Sequence, residues 1–167
     1  QDVHLKLAQD LPELELERMS GRLQARFPET GLAVKGERIE LVSGTEMPGG
    51  TGSPLKIEPT DFEVAWQPEA GGKNGVGNVS ITRMDLGMLA RLAAYLPIDT
   101  QSRTLLNDYA PRGLVNGLSA RWKNRAENLL TYSLKAGVQD LGVAAQCKFP
   151  GFSGLSGTLE ASEKGGK

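Results

Sequence analysis

Strict alternation of apolar and polar residues is the feature that most constrains this chain. Over residues 130–138 the even positions hold Leu, Tyr, Leu, Ala and Val, and the odd positions between them hold Thr, Ser, Lys and Gly. Successive side chains of a strand point to opposite faces, so this period predicts a strand with one apolar and one polar face. The same pattern predicts strands over 114–122, where only Asn116 interrupts the apolar face, and over 141–149. Three such strands predict an antiparallel sheet with one face in water.

The first half of the chain predicts a meander of further strands. Apolar residues alternate with polar ones over 3–7, 14–16, 19–27, 62–66 and 79–81, and shorter strands are predicted over 32–34 and 39–41 with a bend at Gly36. Turns are predicted at 28–31 and 71–75, where Asn74-Gly75 is typical of a tight hairpin. Residues 43–54 are rich in Gly, Thr and Pro and predict a flexible loop.

Only residues 85–111 predict helix. Asp85 can cap a short helix that Pro97 ends, and Asp99 or Thr100 can cap a second one. Residues 110–113, Ala-Pro-Arg-Gly, then turn the chain into the strand that runs to Trp122. The apolar positions are Leu86, Leu89, Ala93 and Leu96 in the first helix and Leu105, Leu106 and Tyr109 in the second.

Composition limits the class of protein. A chain of 167 residues fits one domain, and 39% hydrophobic residues are enough for a core. The 19 basic and 20 acidic side chains leave a net charge of −1, which points to neither nucleic acid nor an anionic membrane surface. No apolar run is long enough to span a bilayer, and the start lacks the regions of a signal peptide. Because the chain opens in mid-strand, we expect a piece of a longer protein.

The inventory of reactive side chains predicts no catalytic residue, no cofactor and no metal site. His4 is the single histidine and no nucleophile elbow accompanies it, so a surface histidine is expected. Glu13, Glu15 and Glu17 share one strand face and are interpreted as solvated. The single cysteine excludes an internal disulfide. Cys147, Trp66 and Trp122 are interpreted as core residues, and the glycines form no phosphate-binding motif.

Two short segments echo one another. Residues 19–25, MSGRLQA, and residues 155–161, LSGTLEA, share Ser, Gly, Leu and Ala in the same order at an offset of 136 positions. Each follows a proline within a few residues. The echo indicates that the chain holds about one period of a long repeating β structure.

Four motifs, in this order and spacing, carry a family resemblance. They are LGMLARLAAYLP at 86–97, APRG at 110–113, LSARW at 118–122 and FPGFSGLSG at 149–157. Together they resemble the AsmA-like envelope proteins of Gram-negative bacteria, specifically the YhdP type. The opening LPELEL at 11–16 and SGRL at 20–23 also resemble the stretch that precedes these motifs in the family. The resemblance thus covers nearly the whole chain.

The resemblance implies a non-catalytic role in lipid transport. Proteins of this type are similar to the eukaryotic bridge-like lipid transfer proteins, with an inner-membrane anchor and a long periplasmic rod of repeating β-groove (β-taco-like) units. The apolar interior is expected to conduct phospholipid between the inner and outer membranes and so support outer-membrane integrity. The implied partners are phospholipid acyl chains, the adjoining repeats and, through other parts of the protein, the membrane. Nucleic acid is not among them.

The expected organisation is one fragment of this rod, of mainly β structure with a short helical pair (α+β). Residues 1–84 form the first set of strands, 85–111 the two helices and 112–163 the second set. The helices can either fill the concave face or gate it at the rim. Two alternatives remain open. One is a structural or envelope-assembly module with a closed core that binds a protein partner, and the other is a hydrolase, for which no site is found. The predicted groove lining consists of Leu114, Leu118, Trp122, Leu130, Tyr132, Leu134 and Val138.

Overall fold

Strands that follow one another in the sequence also lie side by side in the sheet. The computed structural model describes residues 3–6, 11–28, 30–43, 54–69, 74–95, 98–125, 128–146 and 150–166. Within these ranges, nine strands pair antiparallel in chain order. The predicted class, a twisted antiparallel sheet with a short helical pair, is confirmed.

The elements divide around the helical pair. The strands before it are β1 (Val3–Leu5), β2 (Leu14–Arg26), β3 (Leu32–Ser43), β4 (Lys56–Pro68) and β5 (Gly75–Asp85). The pair consists of α1 (Leu86–Leu92), a 3₁₀ turn (Ala93–Tyr95) and α2 (Thr100–Tyr109). The strands after it are β6 (Arg112–Arg125), β7 (Asn128–Val143), β8 (Phe152–Ser162) and β9 (Gly165–Gly166).

Both helices begin at the predicted aspartates. The Asp85 carboxylate accepts a hydrogen bond from the Met88 amide at 3.0 Å, and Asp99 accepts bonds from the amide and hydroxyl of Ser102 at 2.8 and 2.6 Å. These Ser102 bonds favour the ionised form and lower the pKa of Asp99. The α-helical part of the first helix ends at Leu92, earlier than predicted, because the last turn tightens into 3₁₀ geometry. Leu96 and Pro97 lie outside the described residues.

The strand register separates an apolar row from a polar one. One row crosses β2 to β8 and contains only apolar side chains: Ala25, Val34, Val64, Val79, Ala120, Leu134 and Ala161. The neighbouring row, one residue along each strand, contains only polar ones: Gln24, Lys35, Glu63, Ser80, Ser119, Lys135 and Glu160. Because adjacent residues point to opposite faces, the sheet has one apolar and one polar face.

β-bulges shift the alternation on several strands, and on three of them a residue with a φ of 49–60° lies at the bulge. Arg38 in β3, Gly117 in β6 and Asp140 in β7 have φ values of 49°, 60° and 51°, and each lies at a break in the pairing register. Beyond an extra residue in a strand, the side chains that point to the apolar face change from even-numbered to odd-numbered positions, or the reverse. In β6 and β7 this brings residues three positions apart into one cluster, namely Val115 with Leu118 and Val138 with Leu141.

The bulges account for two wrong strand boundaries. The predicted strand over 141–149 is wrong, since Leu141 and Val143 continue β7 and Ala145 lies outside any strand. At Asp140 the apolar residues change from even-numbered to odd-numbered positions, so the sequence of one long strand resembles that of two. For the same reason the strands predicted over 32–34 and 39–41 are the single strand β3. Cys147 and Phe149 lie outside the described residues, as do most of the predicted loop (44–53) and turn (71–73).

Among the described residues, two hydrophobic clusters form the packed core, and α1 packs against both. The β2 cluster consists of Leu14, Leu16, Leu55 and Tyr95, and the β7 cluster consists of Val115, Ala136 and Val138. Leu86 of α1 packs on the β7 cluster, whereas Met88 and Leu92 pack on the β2 cluster. Burial raises the pKa of the Tyr95 hydroxyl.

Candidate functional site

The apolar face outside the two clusters is open. None of the seven members of the apolar row is buried. Towards its edges, Leu23 on β2 is 57% exposed and Tyr132 on β7 is 37% exposed. Single exposed apolar side chains are ordinary on protein surfaces, but a continuous row across seven strands is not, and such patches mark binding surfaces. This face is therefore the candidate functional site.

Aromatic rings lie across glycines on this face. A Cβ atom added to Gly36 would meet the ring of Phe62, and one added to Gly75 or Gly77 would meet the indole of Trp66 or Trp122. Each ring thus covers the bare backbone of a neighbouring strand. Because these rings lie against the sheet, the two tryptophans predicted as core residues form part of the floor of the open face.

Helix α1 crosses the apolar face as a bridge. Its side chains reach from the β7 cluster to the β2 cluster. Beneath it is a cavity of about 620 Å³ between α1 and the strands β3 to β6. The floor includes Phe62, Val64 and Ile81, and the roof includes Met88, Leu89 and Leu92.

Hydrogen bonds fix the helical pair to the sheet. The Arg103 guanidinium donates to the carbonyl oxygens of Ala93 and Ile98, both at 3.3 Å, and so joins α2 to the first residue of the 3₁₀ turn and to the segment that precedes α2. At the other end of α2, the Ala144 amide donates to the Tyr109 carbonyl at 2.7 Å. The Gln146 side chain donates to the Asp108 carbonyl at 2.6 Å. These bonds hold the roof over the cavity.

The polar face carries exposed ion pairs. Lys135 lies 3.0 Å from Glu160 on the neighbouring strand, and Lys35 lies 2.8 Å from Glu37. The hydrogen bond and charge of Glu37 raise the pKa of Lys35, and those of Lys35 lower the pKa of Glu37. An open depression of about 760 Å³ around Lys135 is lined mostly by charged and small residues, with Leu134 and Ala161 also contributing. This face is suited to contact with water.

The predicted lining residues occupy three different environments. Leu118, Trp122, Tyr132 and Leu134 lie on the apolar face by their pairing register. Leu114 lines the cavity beneath α1. Val138 is 5% exposed in the β7 cluster, where it supports the roof and is covered by protein. The side chain of Leu130 lies outside what the structure describes.

Sequence reasoning missed the part of the site that lies beneath α1. The cavity floor on β4 and β5 and the roof residues Met88 and Leu92 were not among the predicted lining residues. The alternation of apolar and polar residues over 62–66 does indicate that Phe62 and Val64, which belong to the cavity floor, share one apolar face. The helical periodicity predicted an apolar face on α1 but not the strands that it covers.

The histidine and the three glutamates considered above are on the surface. His4 is exposed, with its Nδ1 atom 3.3 Å from the Glu13 carboxylate, and Glu15 and Glu17 are exposed as well. Among the described residues, no three His, Cys, Asp or Glu side chains are placed to hold a metal ion. Within the same residues, no helix has the length and apolar content needed to cross a bilayer.

Comparison with known proteins identifies the family. The family model described as YhdP protein matches residues 1–167, the whole of the chain. No curated protein and no solved structure matches it. The resemblance drawn from the four sequence motifs is confirmed. The chain therefore belongs to the YhdP family, a family of bacterial envelope proteins related to lipid transport.

Proposed function

We propose that this chain is a section of a β-groove along which phospholipid acyl chains move between the inner and outer membranes. The observation that carries the proposal is the apolar row from β2 to β8, in which every side chain is apolar and none is buried. Covering such a surface with hydrocarbon is favourable by about 25 cal/mol per Å². Family membership supports lipid as the cover.

The chemistry of this face suits passage. Contact between acyl chains and aliphatic side chains has no preferred direction, so a chain can shift from one row to the next without breaking a hydrogen bond. On either side of the apolar row, the next pairs across β4 and β5 add further apolar side chains to the open face. Phe62 pairs with Ile81, and Trp66 pairs with Gly77. No catalytic group is needed for this function, and none is proposed.

The two ends of the sheet support the proposal of a repeating rod. Leu16 in β2 pairs with Val3, and Phe152 in β8, 136 positions later, pairs with Val143. The echoed glycines Gly21 and Gly157 also share positive φ values of 124° and 154°. One edge of the sheet thus repeats the arrangement of the other, as expected if adjoining repeats of the same polypeptide extend the groove on both sides.

The location follows from this function. We assign the chain to the periplasmic portion of a protein whose inner-membrane anchor lies in other parts of the polypeptide. The polar face, with its exposed ion pairs, meets the aqueous periplasm. Delivery of phospholipid through the groove then supports the integrity of the outer membrane.

Photo-crosslinking in cells tests the proposal. A photoreactive amino acid is placed in the full-length protein at Leu134 on the apolar face or at Lys135 on the polar face, and the adducts are identified by mass spectrometry. Phospholipid captured at Leu134 but not at Lys135 is the expected result. Lipid captured at neither position, in protein that is folded and supports growth, rejects the conduit.

A structural or assembly module is the second candidate. The two hydrophobic clusters on which α1 packs favour it, because each is a small core of buried side chains. In this case the open face would bind an envelope protein. Crosslinks from Leu134 to protein alone, without lipid, support this second candidate.

A further inference from the structure

Helix α1 is only partly covered by the sheet. Leu86 packs on the β7 cluster, and Met88 and Leu92 pack on the β2 cluster, yet no residue of α1 is itself buried. Since α1 follows β5 without an intervening loop, and its partner α2 is bonded to the 3₁₀ turn and to the segment after β7, the helix is a fixed roof. The space beneath it belongs to the groove.

The size of this space fits one acyl chain. A methylene group occupies about the liquid volume of a water molecule, about 30 Å³, so a chain of about 16 carbons needs about 480 Å³. The cavity has about 620 Å³. It therefore has room for one such chain. The second chain can lie on the adjoining open face, because Val64 of the cavity floor is also a member of the apolar row.

The rim of the cavity provides a cation for the head group. Four charged residues contribute to the cavity wall: Lys56, Glu58, Arg83 and Asp85. Arg83 pairs with Glu58 at 3.3 Å, and the Asp85 carboxylate caps α1. Lys56 is exposed, and within the described ranges it has no ion pair. Its ammonium group is available to a phosphate.

We propose that the cavity beneath α1 is a station that holds one acyl chain of a phospholipid, with the phosphate at Lys56 and the second chain on the open face. This inference rests on the proposed function and adds a defined stopping place to it. A roofed station makes each lipid pass this section with one chain enclosed. The section therefore recognises a phospholipid by one chain and its phosphate.

Photoaffinity labelling of the purified full-length protein tests the station. The probe is phosphatidylglycerol with a diazirine in one acyl chain, and diazirine-palmitate is the comparison. Trypsin cuts after Arg83 and Arg91, so the peptide 84–91 reports the roof α1, whereas the peptide 126–135 reports the open face at Tyr132 and Leu134. Both peptides are read from the same sample.

Two substitutions with matched controls locate the lipid. Ile81→Trp fills the cavity floor, and Ser80→Trp places the same ring on the polar face one residue away. We expect Ile81→Trp to lower labelling of the peptide 84–91 by about tenfold, because the indole ring occupies the space that the acyl chain would take. Labelling of the peptide 126–135 should persist. Lys56→Glu should lower labelling of the peptide 84–91 by about fivefold, because the contact between the ammonium group and the phosphate is lost, whereas Lys164→Glu should leave it unchanged.

The outcomes separate this inference from the proposed function. Labelling of 126–135 without 84–91 overturns the station and leaves the conduit in place. Labelling of neither peptide overturns both. Labelling of 84–91 that Ile81→Trp leaves unchanged places the chain outside the cavity and rejects the station. Labelling of 84–91 by diazirine-palmitate but not by the phosphatidylglycerol probe replaces the phospholipid with a free fatty acid and rejects the proposed occupant.

Discussion

The open face can be tested by comparing two leucines on the same strand. Leu16 in β2 is 1% exposed in the β2 cluster, whereas Leu23, further along β2, is 57% exposed. Truncating a buried leucine to alanine costs about 3–4 kcal/mol, because a cavity remains as well as the lost transfer free energy. Less than half of the Leu23 side chain is removed from water, and no cavity is created there. Leu23→Ala therefore costs about 1 kcal/mol or less.

Urea unfolding of delipidated protein measures this difference. Trp66 and Trp122 on the open face provide the fluorescence signal, and each cost is the shift of the midpoint at an unchanged m-value. We expect Leu16→Ala to lower the free energy of unfolding by about three times as much as Leu23→Ala. Equal losses at the two positions would mean that protein covers the face at Leu23, which would refute the open groove.

Three further predictions concern the roof and the floor. Arg103→Ala should cost about 1.5–3 kcal/mol by removing charged hydrogen bonds to two carbonyl groups, seen as faster hydrogen exchange in α2, and Lys at this position should not restore protection. The pKa of Asp99 is lowered in the folded protein, so the ionised carboxylate stabilises the fold fully above the ordinary carboxyl pKa of about 4. This stabilisation is lost as the pH falls through the lowered value. The exchange protection of α2 should therefore fall in acid, and Asp99→Asn, which still caps but does not titrate, should remove this dependence. Gly77→Ala should cost about 1–3 kcal/mol by displacing the indole ring over it, whereas Gly137→Ala, whose added Cβ would lie 3.4 Å from the nearest atom, should be tolerated in the same unfolding assay.

Much of the site could be predicted because its signal is local. Alternation over 130–138 assigns Tyr132 and Leu134 to one face and Lys135 to the other, whatever the neighbouring strands are. The caps Asp85 and Asp99 were also predictable, since an N-cap depends on a few consecutive residues. Four short motifs were sufficient to indicate the family before any geometry was known.

The bulges could not be predicted in this way. Asp140 has a positive φ, and its amide donates a hydrogen bond to the Ser156 hydroxyl oxygen at 3.0 Å on the next strand. The Arg38 amide donates similarly to Asp61 on β4 at 2.7 Å. The partner lies on another strand in both cases, so the residues next to the bulge do not contain the information. This is why β3 and β7 each looked like two strands.

The sequence by itself determined that the chain forms a two-faced antiparallel sheet with a capped helical pair, because these properties depend on periods of a few residues. Only the tertiary structure decided what the helices do to the apolar face. The apolar side of α1 must be covered, but its periodicity does not specify by which strands. The register of β2 to β7 places one cluster at each end of α1 and leaves the cavity between them. The helix thereby bridges the apolar face and leaves open the groove that a filled core would have closed.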